Sequence, residues 1–332
     1  MKAALVTGAA GFIGSHMVDL LLDEGFEVRA IDNLATGRLD NVAHHKAQRR
    51  FSFHHVDIGD LGAESAVFQG VDHVFHFAGI GDIVPSIERP LEYMRANVTG
   101  TLAVLEAARH AGVRKLVYAA SSSCYGLAEE LPTSETAPIQ PEYPYALSKW
   151  LGERAALHWA QVYKLPAVSI RMFNVYGPRV RTTGVYGAVF GVFLAQKIHD
   201  RPFTVVGDGT QTRDFVFVTD VARAFLAAAV APISGQVYNV GAGNPQSINR
   251  LVELIGGPVV HVPARPGEPR CTWADIRKIQ RDLGWKPVVS FEDGVKVMLS
   301  QIDYWKDAPL WTPESIQQAT RTWFQYLADR PA

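Results

Sequence analysis

Short apolar runs alternate with longer amphipathic stretches through the first half of the chain. Residues 3–6, 27–31, 51–56, 71–77, 115–120 and 167–172 have the length and apolar character of strands buried on both faces. Ile13, Met17, Leu20 and Leu21 recur at helical spacing after the first run, and Gly25 closes that stretch. Residues 91–111 keep a helical period up to Gly112, and 143–163 read as a further helix. Strands alternating with helices predict an α/β protein of the Rossmann type, with a doubly wound parallel sheet. Ligands of such sheets gather outside the C-terminal strand ends. Asp32, Asp57, Ala78-Gly79, Ser121 and Phe173 all fall at those ends.

After Phe173 the texture changes. Gly177-Pro178, Gly184, Gly187 and Gly207-Asp208-Gly209 punctuate shorter segments, and 258–269 is rich in proline. We therefore expect a nucleotide-binding domain over 1–173, completed by about 215–243. A smaller mixed α/β lobe of 174–214 and 244–332 would grip a substrate above the sheet. Near the end, Thr312, Pro313 and Glu314 read as N-cap, N1 and first turn of a helix.

Composition narrows the function classes. The chain of 332 residues is 48% hydrophobic and 20% charged, as ordinary globular proteins are. A net charge of −1 supplies no general attraction to nucleic acid or to a membrane surface. No apolar run reaches the length of a membrane span, and the first run is too short for a signal peptide. Two cysteines, Cys124 and Cys271, make no disulfide framework, so a reducing cytoplasm is the expected compartment.

The first candidate chemistry follows the first strand: Thr7-Gly8-Ala9-Ala10-Gly11-Phe12-Ile13-Gly14. Gly8 allows the turn, Gly11 removes a side chain where backbone must approach a pyrophosphate, and Gly14 lets helix pack on strand. The free N–H groups of the helix start would face the phosphates. Asp32 ends the second strand near the offset expected of the acid that binds an adenosine ribose. Its charge favours NAD over NADP, although Arg38 is the nearest cation and could meet a phosphate.

The second is Tyr145-Ala-Leu-Ser-Lys149. A spacing of four places both side chains on one helix face. A tyrosine of pKa about 10 is a poor base at neutral pH. An adjacent ammonium favours the phenolate. Bringing the pKa to about 7 needs ~4 kcal/mol. A cationic nicotinamide ring would help, and Ser121 would hold the sugar oxygen.

With these motifs the chain resembles the extended short-chain dehydrogenases/reductases, and within them the nucleotide-sugar 4-epimerases of UDP-hexoses and UDP-N-acetylhexosamines. The resemblance rests also on Asp57-Ile58, His76-Phe77-Ala78-Gly79, Asn97, Ser121-Ser122-Ser123-Cys124-Tyr125-Gly126, Arg171-Met172-Phe173-Asn174-Val175-Tyr176-Gly177-Pro178, Arg213-Asp214-Phe215 and Arg265-Pro266-Gly267-Glu268. It implies NAD as cofactor, held by the glycine turn with Phe12, Ile13, Asp32, Asn33, Phe173, Tyr145 and Lys149. Asp57 and Ile58 would flank the adenine, Phe77 to Gly79 would line the cofactor, and Asn97 would support the site. Asn174 and Arg213 would hold a diphosphate, and Arg265 with Glu268 a nucleoside ribose. Ser121, Ser122, Ser123, Asp82 and Thr272 would face the sugar. A UDP-sugar is the expected substrate, polysaccharide precursor supply the expected role, and a homodimer through helices 91–111 and 143–163 the expected assembly. The rival readings are a C4 dehydrogenase or ketoreductase that releases its product, and a non-catalytic dinucleotide sensor. The sensor predicts a damaged Tyr–Lys pair, whereas both residues are intact.

Departures refine the expectation. Related 4,6-dehydratases carry Thr-Asp-Glu where this chain has Ser121-Ser122-Ser123, and hydroxyls cannot replace those acids in losing water. A bulky tyrosine at the position of Thr272 restricts relatives to plain hexoses, so a small residue predicts room for an N-acetyl group. Asp82 stands where relatives more often have a small or neutral residue. No metal centre is expected. Adjacent histidines of a helix or strand, as His44-His45 and His54-His55 would be, do not aim at one ion, and no third ligand is spaced with them. Cys124 reads as a packed thiol. Trp305, Trp311 and Trp323 read as packing for the C-terminal lobe.

Overall fold

The computed structural model describes residues 2–180 and 189–327; Gly184 and Gly187 lie outside them. Six strands of the first half appear in sequence order: β1 (Ala3–Thr7), β2 (Glu27–Asp32), β3 (Phe51–His55), β4 (His73–His76), β5 (Lys115–Ser121) and β6 (Ala167–Met172). With the strand Gln236–Val240 they form one seven-stranded parallel sheet, in the order Gln236–Val240, β6, β5, β4, β1, β2, β3. Strand order reverses at β1, next to the glycine turn. A Rossmann fold places its dinucleotide crevice at that reversal.

Burial explains why β1 and β4 carry no alternating pattern. Every residue of β1 and of β4 is buried, because helices cover both sheet faces. On one face α1 (Phe12–Asp23) packs with the helix Val218–Val230 through Met17, Val18, Leu21, Ala222 and Phe225. On the other, Val104, Leu105 and Ala108 of α4 (Gly100–His110) meet Leu116 and Tyr118 of β5.

The 91–111 stretch is not one regular helix. It comprises α3 (Pro90–Met94), a π-helical turn Arg95–Thr99 and α4. Such turns rotate side chains off the regular period. This one carries Asn97, which is buried. The remaining helix of the sheet, α5 (Pro144–Val162), has Tyr143 as N-cap and Pro144 in its first turn.

The C-terminal lobe has its own core. Tyr176, Phe190, Phe215, Phe217 and Phe291 stack and abut edge-on, with Phe203 against Phe193. Residues of short two-stranded pairings supply several of these rings. Thr312 caps the helix Pro313–Ala319 through a capping box with Ser315. At the junction of lobe and sheet, Arg171 of β6 forms a buried two-pronged pair with Glu153 of α5, at 2.5 and 3.0 Å. Arg171 also donates to the Tyr125 hydroxyl, which in turn donates to Asn239.

Candidate functional site

Two cavities open along the C-terminal strand ends. The first, about 760 Å³, is lined by Gly8, Gly11, Phe12, Ile13, Gly14, Asp32, Asn33, Asp57, Ile58, Phe77, Ala78, Gly79, Tyr145 and Lys149. Its floor is backbone at close approach. Gly8 has φ +67°, and a Cβ there would lie 2.7 Å from the Ala78 nitrogen. A Cβ on Gly14 would lie 2.1 Å from the Gly8 carbonyl oxygen, so only glycine lets α1 start this near the turn. Gly11, the N-cap of α1, has no side chain to occupy the first-turn amides.

Asp32 is buried at the far side. Its carboxylate accepts from the Ala10 and Leu34 amides at 2.9 and 2.7 Å, while burial pushes its pKa up. Asn33 donates to Asp57 at 2.8 Å, and Asp57 accepts from the Gly59 amide at 2.7 Å. Arg38 donates its backbone amide to Ala10, and its guanidinium lies over the Tyr304 ring at 5.5 Å.

At the inner end lie the Tyr145 and Lys149 side chains of α5. Ser121, at the end of β5, stands beside Tyr145 and exchanges a hydrogen bond with Ser123 at 2.7 Å. Burial raises the Tyr145 pKa, Ser121 opposes that rise, and the Asp82 carboxylate adds to it. The sequence expectation was for the cofactor-bound site, with Lys149 and a cationic nicotinamide ring together lowering Tyr145. Within the protein alone desolvation wins, and burial also brings the Lys149 pKa down to about 8. The Lys149 ammonium sits 4.7 Å from the Tyr118 ring.

Asn97 lines neither cavity. Its amide accepts from the Ile80 amide at 2.8 Å and donates to the Ile80 carbonyl and to Ser148, both at 2.9 Å. It thereby ties the segment after Gly79 to α5 between Tyr145 and Lys149.

The second cavity, about 430 Å³, is lined by Asp82, Ser121, Ser122, Ser123, Asn174, Arg213, Arg265, Glu268 and Thr272. Phe173 lines this cavity and not the first, where Met172 stands instead. Phe173 follows the last residue of β6 and packs with Tyr125 and Ala274 on the side of the second cavity. Asp82 and Met172 line both cavities. Arg213 donates to Glu268 at 2.7 Å, and Arg265 stands 3.8 Å from the same carboxylate. The Thr272 hydroxyl donates to Asn174 at 2.7 Å and accepts from the Asp214 amide at 3.1 Å.

Sequence reasoning missed several members of this wall. Tyr143 lines it and lies parallel to Tyr145, with ring centroids 6.4 Å apart. Trp323 lines it as well, under the Arg265 guanidinium, so it serves the cavity besides packing the lobe. Asp214 is fully buried and accepts from the Ala242, Gly243 and Ala274 amides, which fixes the loops on either side of Thr272. The only sequence signal for Asp214 was its place between Arg213 and Phe215.

The histidine pairs divide. His54 bonds Ser52 and His55 bonds the Asn33 carbonyl, so these two diverge. His44 and His45 converge, with Nε2 atoms 3.0 and 2.6 Å from one oxygen of Asp19. The premise that they could not share a target is corrected. They lie on one turn of 3₁₀-helix, Ala43–His45, rather than on an α-helix or strand, and α1 supplies the third group.

Comparison with known proteins agrees with this architecture. The model of the NAD dependent epimerase/dehydratase family matches residues 4–241. The chain belongs to that family. It is 38% identical over 301 residues to the UDP-glucose 4-epimerase of Mycolicibacterium smegmatis, covering 88% of this chain and 95% of that protein. The UDP-N-acetylglucosamine 4-epimerase of Methanobrevibacter ruminantium, solved with UDP-N-acetylmuramic acid, superposes with a TM-score of 0.85 at 32% identity, over 90% of this chain and 99% of that one. The UDP-glucuronic acid 4-epimerase of Bacillus cereus, solved with UDP-glucuronic acid and NAD, gives 0.84 at 33% identity, over 92% and 99%.

Proposed function

We propose that this NAD-dependent epimerase inverts C4 of a UDP-linked hexose or N-acetylhexosamine. The observation that carries the reading is that Ser121 stands close enough to Tyr145 to act on its titration. Ser121 lines the second cavity and Tyr145 the first, so the two side chains face each other across the boundary between them. A hydroxyl placed there touches both groups and faces both ligands.

The first cavity fits NAD. Side chains are missing where a pyrophosphate needs backbone contact, and a carboxylate stands at the ribose end. When bound, NAD supplies the hydride acceptor and afterwards the hydride donor, and it ends unchanged. Tyr145 takes the proton of the 4-hydroxyl and later returns one to the same oxygen. Ser121 holds that oxygen and steadies the Tyr145 hydroxyl. Lys149 adds positive charge to the cleft beside Tyr145 and reaches the nicotinamide ribose. Arg213 and Asn174 anchor the diphosphate, and Arg265 with Glu268 the uridine ribose, while the 4-keto sugar turns to present its other face. Ser121, Ser122 and Ser123 supply no carboxyl group, which separates this wall from that of a dehydratase. Leu91, Val162 and Tyr163 are large apolar residues exposed on α3 and at the end of α5. They support a homodimer along these helices, to be checked by light scattering.

The test is a panel of nucleotide sugars read by NMR with no cofactor added. C4 epimers should form from a UDP-sugar. Turnover only with added NAD, and release of a keto product, would replace this reading by a dehydrogenase.

A further inference from the structure

We infer that Asp19, His44 and His45 form a divalent-cation site of the zinc class, separate from both cavities. Three donor atoms meet there from two segments remote in sequence. The Asp19 Oδ1 atom on α1 lies 3.0 Å from His44 Nε2 and 2.6 Å from His45 Nε2. All three lie within 4.8 Å of one another. Zinc bonds of about 2.0–2.1 Å to nitrogen and oxygen need donor separations of roughly 3.3 Å in a tetrahedron. Small side-chain movements would open these groups to that size. Two imidazoles and one carboxylate leave a fourth position for water, and this donor set suits zinc better than magnesium or calcium.

The surroundings orient the ligands. His45 is buried, and its Nδ1 pairs with the Gln48 amide at 2.9 Å. Reversal of that amide offers an oxygen to Nδ1–H and frees Nε2 for a metal. The His44 ring lies against His45 at a tilt of 45°, with ring centroids 3.9 Å apart, and its side chain is 48% exposed, which leaves an entry path. The second Asp19 oxygen is engaged by Arg179 at 2.8 Å, with His16 Nδ1 at 4.0 Å. Arg179 therefore holds the carboxylate in place and leaves Oδ1 for the ion. Its charge also weakens cation binding, so the affinity should be micromolar rather than nanomolar.

Isothermal titration of EDTA-treated full-length protein with zinc chloride at pH 7.5 tests this. One ion per chain should bind. Asp19→Asn and His44→Ala should each weaken binding at least tenfold, and His44→Ala changes a half-exposed side chain that the fold does not need. The double variant His54→Ala/His55→Ala should bind as the parent does. Cobalt chloride in place of zinc should give visible absorption in the parent that His44→Ala loses. No binding at millimolar zinc, or equal binding by the parent and His44→Ala, would overturn the assignment.

Discussion

The two cavities are built from different materials. The dinucleotide cleft is backbone: glycines within contact distance of neighbouring turns, and an acid already satisfied by two amides. The sugar cavity is side chain against side chain. Arg213 holds Glu268, and Thr272 holds Asn174. The first can receive its ligand without rearrangement. If it holds the substrate as proposed, the second has to exchange internal partners for substrate ones, so its affinity is a difference between two sets of hydrogen bonds. A rigid cofactor site beside an exchangeable substrate site is the arrangement an enzyme needs when the sugar must turn and the cofactor must stay.

Substitutions can break this contrast. Tyr145→Phe should cost the most, ~10³–10⁴-fold in kcat, with NAD still bound, because it removes a proton acceptor and little volume. Bound nicotinamide is counted after denaturation. Lys149→Ala should reduce both cofactor content and rate, and equal, mild effects from the two would sink the division of labour. Arg213→Ala should raise KM for the nucleotide sugar by ~10–100-fold, the worth of a charge-assisted contact, and leave NAD content unchanged. If NAD is lost as well, the cavities are not independent.

Thr272→Tyr should lower kcat/KM for UDP-N-acetylglucosamine relative to UDP-glucose by ~10-fold or more, since overfilling a close-packed site is costly. Thr272→Val, which keeps the size and loses the hydroxyl bonds to Asn174 and Asp214, serves as the control. An unchanged ratio in Thr272→Tyr would remove Thr272 from the C2 pocket.

The last effect is on stability rather than turnover. His76 at the end of β4 is fully buried between Thr7 at 2.7 Å and Thr101 at 3.0 Å, and burial lowers its pKa to about 3. The folded state resists a proton that the unfolded state accepts below about 6.5. Stability is therefore complete above pH 6.5 and is lost progressively as pH falls toward 3. Between pH 7 and pH 5 the loss should be ~2 kcal/mol in urea unfolding, and His76→Gln should flatten that dependence.

The same contrast explains what the sequence disclosed. The cleft was legible because contiguous residues encode it: strand, turn and helix follow one another from Ala3 to Asp23, and Asp32 ends the next strand. The helix start at Thr312 was legible for the same local reason. The sugar cavity draws on residues 82 to 323, and only the resemblance pointed to Arg213, Glu268 and Thr272. Nothing local marks Tyr143 or Trp323 as wall residues. The π-turn around Asn97 was hidden because its residues keep an ordinary helical composition. The meeting of Asp19 with His44 and His45 depends on a turn type that adjacent histidines do not announce. The rise that burial alone gives the Tyr145 pKa was not legible, because the sequence does not show burial.

The central claim is that hydride leaves C4 and returns to it without escaping the protein. UDP-glucose and UDP-N-acetylglucosamine deuterated at C4 test it directly, in light water with no cofactor added and NMR of the product. The account predicts that the C4 epimer keeps its deuterium in full. Protium at C4 of the product, or label found in released NADH, would contradict it.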